Sequence, residues 1–131
     1  MEESTPSQTI LLATADEEAA LPVTGALAAM GLHVVRAWDG EEALRQAVAL
    51  TPLVLVVDRY LPVIHGLAVA AELRADPRIP AGAPIVLLSS EPLDAREQEK
   101  AGVATVRAKN APVHEWRELM GSLLVDHWRS M

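Results

Sequence analysis

The chain has 131 residues, half of them hydrophobic, with a formal net charge of −7 and no cysteine. The length suits one domain with a proper core, and the acidic balance argues against a nucleic-acid backbone as the main partner. Without cysteine there is no disulfide framework, thiolate metal site or cysteine nucleophile.

The first eight residues, MEESTPSQ, are polar and acidic and are expected to form a flexible N-terminus. They lack the basic start and apolar run of a signal peptide. No apolar run approaches the roughly 18 residues of a membrane span. A soluble, cytoplasmic protein is expected.

TILLAT (9–14) is the first buried-strand pattern. Asp16, Glu17 and Glu18 then suit a helix N-terminus, where carboxylates meet unpaired N–H groups and the positive end of the dipole. That helix should reach Met30 and stop at Gly31. Pro22 and Gly25 predict a late start or a kink. LHVVRA (32–37) is the second strand, and EEALRQAVAL follows Asp39 and Gly40 as a helix. LVLVV (53–57) is the third strand, and it runs into Asp58, a carboxylate that needs a partner or solvent there. Side-chain alternation directs the next residue, Arg59, towards solvent; the alternative is that it folds over Asp58 in place of a metal. A Pro-containing turn closes on Gly66, and GLAVAAELRA forms the third helix. Residues 76–84 are a Pro/Gly-rich loop, PIVLLSS (84–90) is the fourth strand, and DAREQEKAG (94–102) is a short polar helix. ATVRA (104–108) is the fifth strand. In HEWRELMGSLLVDHW, Trp116, Leu119, Met120, Leu123 and Leu124 form the apolar stripe of an amphipathic helix. Trp128 near its end is a candidate partner contact.

Five β-α units predict a parallel sheet with helices on both faces. Right-handed crossovers and short connections favour a flavodoxin-like, doubly wound (βα)5 fold of strand order 2-1-3-4-5. Its crevice lies at the carboxyl ends of strands 1 and 3, where Thr14 to Asp16 would meet Asp58 to Tyr60. Ser89 and Lys109 reach the same edge from strands 4 and 5. Lys100 and Lys109 are the only lysines, against nine arginines. An aspartate beside a hydroxyl and a lysine suits reversible phosphoryl capture: the carboxylate attacks phosphorus, the ammonium neutralises charge and the hydroxyl donates a hydrogen bond. His33, His65, His114 and His127 share no ligand spacing.

Four segments, DRYLPVIHGL, RAWDGEEAL, IVLLSSE and AGVATVRAK, resemble motifs of the response-regulator receiver domain of two-component signalling, in the right order over nearly the whole chain. The resemblance implies that Asp58 is the phosphoacceptor, Ser89 the switch hydroxyl and Lys109 the motif's lysine. It implies a signalling module rather than an enzyme, with residues 9–128 as a single receiver-like domain and no output domain. Expected partners are a histidine kinase or phosphotransfer protein, an output protein, or both, with no nucleic acid and no membrane. It also directs attention to the face of the fourth helix and fifth strand, with Arg107 and Arg96 to Lys100, as a contact surface.

The departures are specific. Receivers end strand 1 with two adjacent acids that hold Mg²⁺, and Thr14 and Ala15 stand at those places. Asp16 falls one position late, either as a helix cap or as a metal ligand. Asp58 and the Tyr60 carbonyl could add ligands, so no tightly bound cofactor is expected and any Mg²⁺ binding should be weak. Val106 stands where an aromatic residue is usual, Asn110 replaces a proline, and His65 stands where an Asp often precedes the glycine. The short spacing from Ser89 to Lys109 implies a trimmed fourth helix. The alternative is a degenerate receiver, a protein-interaction module that works without phosphorylation. A flavin-binding reading lacks a Ser/Thr/Gly-rich phosphate loop after strand 1.

Overall fold

Strand and helix alternate as expected along the computed structural model, which describes residues 8–129, with side chains as far as Val125. The elements are β1 (Thr9–Ala13), α1 (Glu17–Ala29), β2 (His33–Ala37), α2 (Gly40–Leu50) and β3 (Val54–Asp58). They continue with α3 (Gly66–Ala75), β4 (Ile85–Leu88), α4 (Ala95–Ala101), β5 (Thr105–Arg107) and α5 (Val113–Arg129). Every strand pair is parallel, in the order β2-β1-β3-β4-β5. This is the flavodoxin-like order. Residues 1–7, most of the expected flexible N-terminus, and the side chain of Trp128 lie outside the described residues.

The central strands β1, β3 and β4 are buried throughout, which is why they read as unbroken apolar runs. Alternation sorts their side chains into two cores. Leu11, Leu55, Val57, Ile85 and Leu87 pack with residues of α2 and α3. Ile10, Leu12, Val54, Val56 and Val86 pack with Val23 and Leu27 of α1 and Trp116 and Met120 of α5. Each fully buried Leu, Ile or Val contributes about 1.5–3 kcal/mol by leaving water. Thr14 and Asp58 continue the register of the α1–α5 side. Arg59 and Ser89 continue the other.

Two expectations about elements need correction. Helix α1 does not start late: it runs unbroken from Glu17 through Pro22 to Ala29. Asp16 accepts the Glu18 and Ala19 N–H groups at 3.0 and 3.2 Å. That cap and the buried stripe Ala19, Ala20, Val23, Ala26 and Leu27 offset the one backbone hydrogen bond that Pro22 cannot donate. Strand β4 ends at Leu88 rather than at residue 90. The chain turns there because Ser89 Oγ donates to the Glu91 carbonyl at 2.8 Å and accepts the Glu91 N–H at 3.2 Å. Helix α4 spans seven residues, Ala95–Ala101, the expected short polar helix.

Candidate functional site

The carboxyl ends of β1 and β3 bring Thr14, Asp16 and Asp58 together, and the loop after β5 adds Lys109. Asp58 is only 2% exposed. A carboxylate so buried must have its oxygens occupied, and they are. Oδ1 accepts the Tyr60 N–H at 3.0 Å. Oδ2 accepts the Thr14 hydroxyl at 2.7 Å and lies 3.1 Å from Lys109 Nζ. The ammonium also reaches Asp16 Oδ2 at 3.1 Å. Lys109 thus bridges two carboxylates, and Asp16 acts as both helix cap and ion-pair partner. Hydrogen bonding to Lys109, ahead of the Ala19 N–H, holds the Asp16 carboxyl below its usual range. For Lys109, partial burial works against the charged form, but hydrogen bonds to Asp16 and Asp58 win and raise its pKa.

Thr14 is fully buried, and its hydroxyl also accepts the Asp16 N–H at 3.0 Å. Its carbonyl accepts two bonds from Arg36, at 3.0 and 2.8 Å, while Arg36 Nη1 pairs with Glu17 at 2.6 Å. The same guanidinium stacks 4.0 Å from the Trp38 ring. Arg36 therefore ties the β2 end to the base of the site, a role the sequence did not disclose. Ala15 is exposed and its side chain offers no ligand.

Ser89 is buried on the other side of the sheet register, where its hydroxyl bonds Arg59 and Glu91 rather than Asp58. Arg59, expected in solvent, is half-buried and donates from Nη1 to Ser89 Oγ at 3.3 Å. The ladder dictates this, because the Arg59 N–H donates to the Leu88 carbonyl at 2.9 Å and so seats Arg59 opposite the start of the β4–α4 loop. Tyr60 presents an exposed phenol that donates to the Glu91 carboxylate. That bond raises its pKa. His65 packs edge-on to the Tyr60 ring at 5.6 Å and caps α3 by accepting the Leu67 N–H at 3.4 Å. No peptide bond among the described residues is cis, so Lys109 leads into Asn110 in the ordinary geometry.

The β3–α3 turn is tightly fitted. A Cβ on Gly66 would lie 2.1 Å from the Asp58 carbonyl oxygen, so only glycine fits. Val63 adopts φ +73°, and the Ile64 N–H donates to the Pro62 carbonyl at 2.8 Å. This is a tight three-residue turn that a β-branched side chain seldom adopts.

Fold and site together have the form of a receiver domain, a two-component signalling module built around an aspartate at the end of the third strand. No protein-family model and no curated protein matches the chain. Solved structures do match. A candidate response regulator from Chloroflexus aurantiacus J-10-fl is 27% identical with a TM-score of 0.81, covering 91% of this chain and 98% of its own. The chemotaxis response regulator CheY4 of Vibrio cholerae is 22% identical with a TM-score of 0.81, covering 92% and 100%. The receiver domain of the sensor histidine kinase PA1611 from Pseudomonas aeruginosa PAO1 is 24% identical with a TM-score of 0.78, covering 90% and 98%. That last structure has a magnesium ion coordinated in its active-site cleft.

The donor set here does not suit such an ion. Magnesium wants oxygen ligands in near-octahedral order, usually with carboxylates. Among the described residues no group of three or more His, Cys, Asp or Glu is placed to hold a metal. The Thr14 hydroxyl and both Asp58 oxygens are engaged in hydrogen bonds or ion pairing, and Asp16 is divided between the α1 cap and Lys109.

Proposed function

We propose that this chain is a phosphorelay receiver, accepting a phosphoryl group on Asp58 from a histidine kinase or phosphotransfer protein and signalling through protein contact in the cytoplasm. The observation that carries this reading is the buried Asp58 carboxylate at the end of β3, 3.1 Å from Lys109. The carboxylate is the attacking group, and the ammonium beside it lies ready for the incoming phosphoryl oxygens. Lys109 is the phosphate-supporting cation in this reading, and Ser89 supplies the hydroxyl once it leaves Glu91. Among the described residues no helix is long and apolar enough to cross a membrane. The α4–β5 face is the proposed contact surface: Arg96 and Lys100 are exposed, and Arg107 is half-buried, held by Thr105 and the Val106 carbonyl.

One observation favours a second reading, a degenerate receiver that binds partners without phosphate. Ser89 Oγ donates once and accepts twice, which uses its full hydrogen-bonding capacity within its own loops. Intact mass after incubation with a small phosphodonor separates the two. A one-phosphoryl increase lost in Asp58→Asn supports the first, and an unchanged mass with partner binding intact in Asp58→Asn supports the second.

A further inference from the structure

A phosphoryl group on Asp58 would replace one negative charge with two in a pocket whose ammonium already serves two carboxylates. The donor set does not fit a divalent cation, so the charge must be met by side chains. Two arginines border the crevice among the described residues, Arg36 bonded to Thr14 and Arg59 bonded to Ser89. Arg36 is spent: Nε and Nη2 donate to the Thr14 carbonyl, Nη1 pairs with Glu17, and its face covers Trp38. Arg59 is not. Its Nη1 makes a long 3.3 Å bond to Ser89 Oγ, its face lies a distant 5.7 Å from the Tyr60 ring, and its Nε is buried with no hydrogen-bond partner. A buried N–H without an acceptor is a donor waiting for one.

We propose that Arg59 is the second cation of the site: it binds the phosphoryl oxygens through Ser89's end of the crevice and replaces the divalent ion, so that Asp58 is phosphorylated without metal. This rests on Asp58 being the phosphoacceptor. Side-chain alternation keeps Arg59 away from Asp58 itself. It approaches instead through the hydroxyl at the end of the adjacent strand. An anion there is a stronger acceptor than the neutral Ser89 oxygen, so the guanidinium gains by the exchange. With zwitterionic phosphoramidate as donor, one Asp58 oxygen forms the bond to phosphorus. The P–N bond breaks, and its electron pair leaves on nitrogen, which departs as ammonia with the protons it already holds.

The test is the rate of one-phosphoryl mass increase in the full chain with phosphoramidate, in chelator and in Mg²⁺. The wild type should label in chelator at a rate little changed by Mg²⁺. Arg59→Gln should label at least about tenfold more slowly, the scale of a lost charged donor to a developing oxyanion. Arg59→Lys, which keeps the charge without the fork, should recover part of that rate, and this covers the case in which Arg59→Gln folds poorly. Wild-type labelling that requires Mg²⁺, or Arg59→Gln labelling at the wild-type rate in chelator, overturns the metal-free role while leaving Asp58 as acceptor. No labelling of the wild type in either condition overturns both.

Discussion

At the scale of single residues, Asp58 is held at 2% exposure by three groups, and they are not equivalent. Thr14 and the Tyr60 N–H satisfy oxygens, but only Lys109 offsets the charge. Removing one partner of a fully buried pair costs about 3–5 kcal/mol. Lys109 is 26% exposed and the two hydrogen bonds remain, so Lys109→Met should cost about 2 kcal/mol, read from the urea midpoint. Adding Asp58→Asn to that variant should restore most of the loss, because the uncompensated charge is gone. A double variant as unstable as Lys109→Met would show that the loss comes from packing instead. Val63 is a separate liability, at φ +73° and 75% exposed. Val63→Asn relieves that conformation without removing a buried contact and should stabilise by about 1 kcal/mol, visible as a raised melting temperature. Asp58 and Lys109 were legible in the sequence because strand ends in a doubly wound sheet converge. The Thr14–Asp58 bond and the turn of Arg59 onto Ser89 were not. Both depend on which sheet face a residue beyond the last ladder pair inherits, and a one-residue change in strand end reverses that.

At the scale of elements, the helix starts were plain in the residues. Asp16, Asp39 and Asp94 each cap a helix through a side-chain oxygen that accepts N–H groups of the first turn. Pro22 misled because propensity ranks a proline by its local cost, whereas capping and burial decide whether the helix survives it. Asp16 links an element to the site, and its lowered pKa gives a signed expectation. Its pairing and capping stabilise the fold above the unfolded carboxylate's pKa and are lost as pH falls through the lower folded value. The stability gap between wild type and Asp16→Asn should therefore be constant near neutral pH and close as pH falls below about 4, tracked by denaturation midpoints. For Lys109 the sign is opposite: its raised value makes the pairing complete below the unfolded lysine pKa and lost only in strong alkali. At the opposite end of the sheet, Arg74 of α3 ties the α3–β4 loop to the α4–β5 connection. Its guanidinium donates to the carbonyls of Ala81, Ala83 and Gly102 at 3.0, 2.9 and 3.3 Å. Arg74→Ala should cost about 1–2 kcal/mol, as for lost bonds to a charged donor, and should speed amide exchange in residues 80–84 above all. Exchange unchanged there would mean that the Pro/Gly-rich loop holds itself.

At the scale of the whole molecule, one sheet separates two cores, and α1 and α5 close one of them. Trp116 is the largest side chain in that layer, 1% exposed among Leu27, Val54, Val86 and Met120. Its truncation to alanine should cost about 3–5 kcal/mol, a large part of the roughly 5–15 kcal/mol that holds a domain together. The indole also carries a cost, since Nε1 is buried without a hydrogen-bond partner among the described residues. Trp116→Phe gives up some packing but removes that unsatisfied donor, whose burial costs about 1–3 kcal/mol. The two terms oppose, so Trp116→Phe should lie within about 1 kcal/mol of the wild type while Trp116→Ala loses several times more. Urea unfolding of the three proteins decides it. Equal, severe losses in both variants would mean that the indole N–H has a partner and that polar anchoring, rather than filled volume, fastens α5 to the sheet.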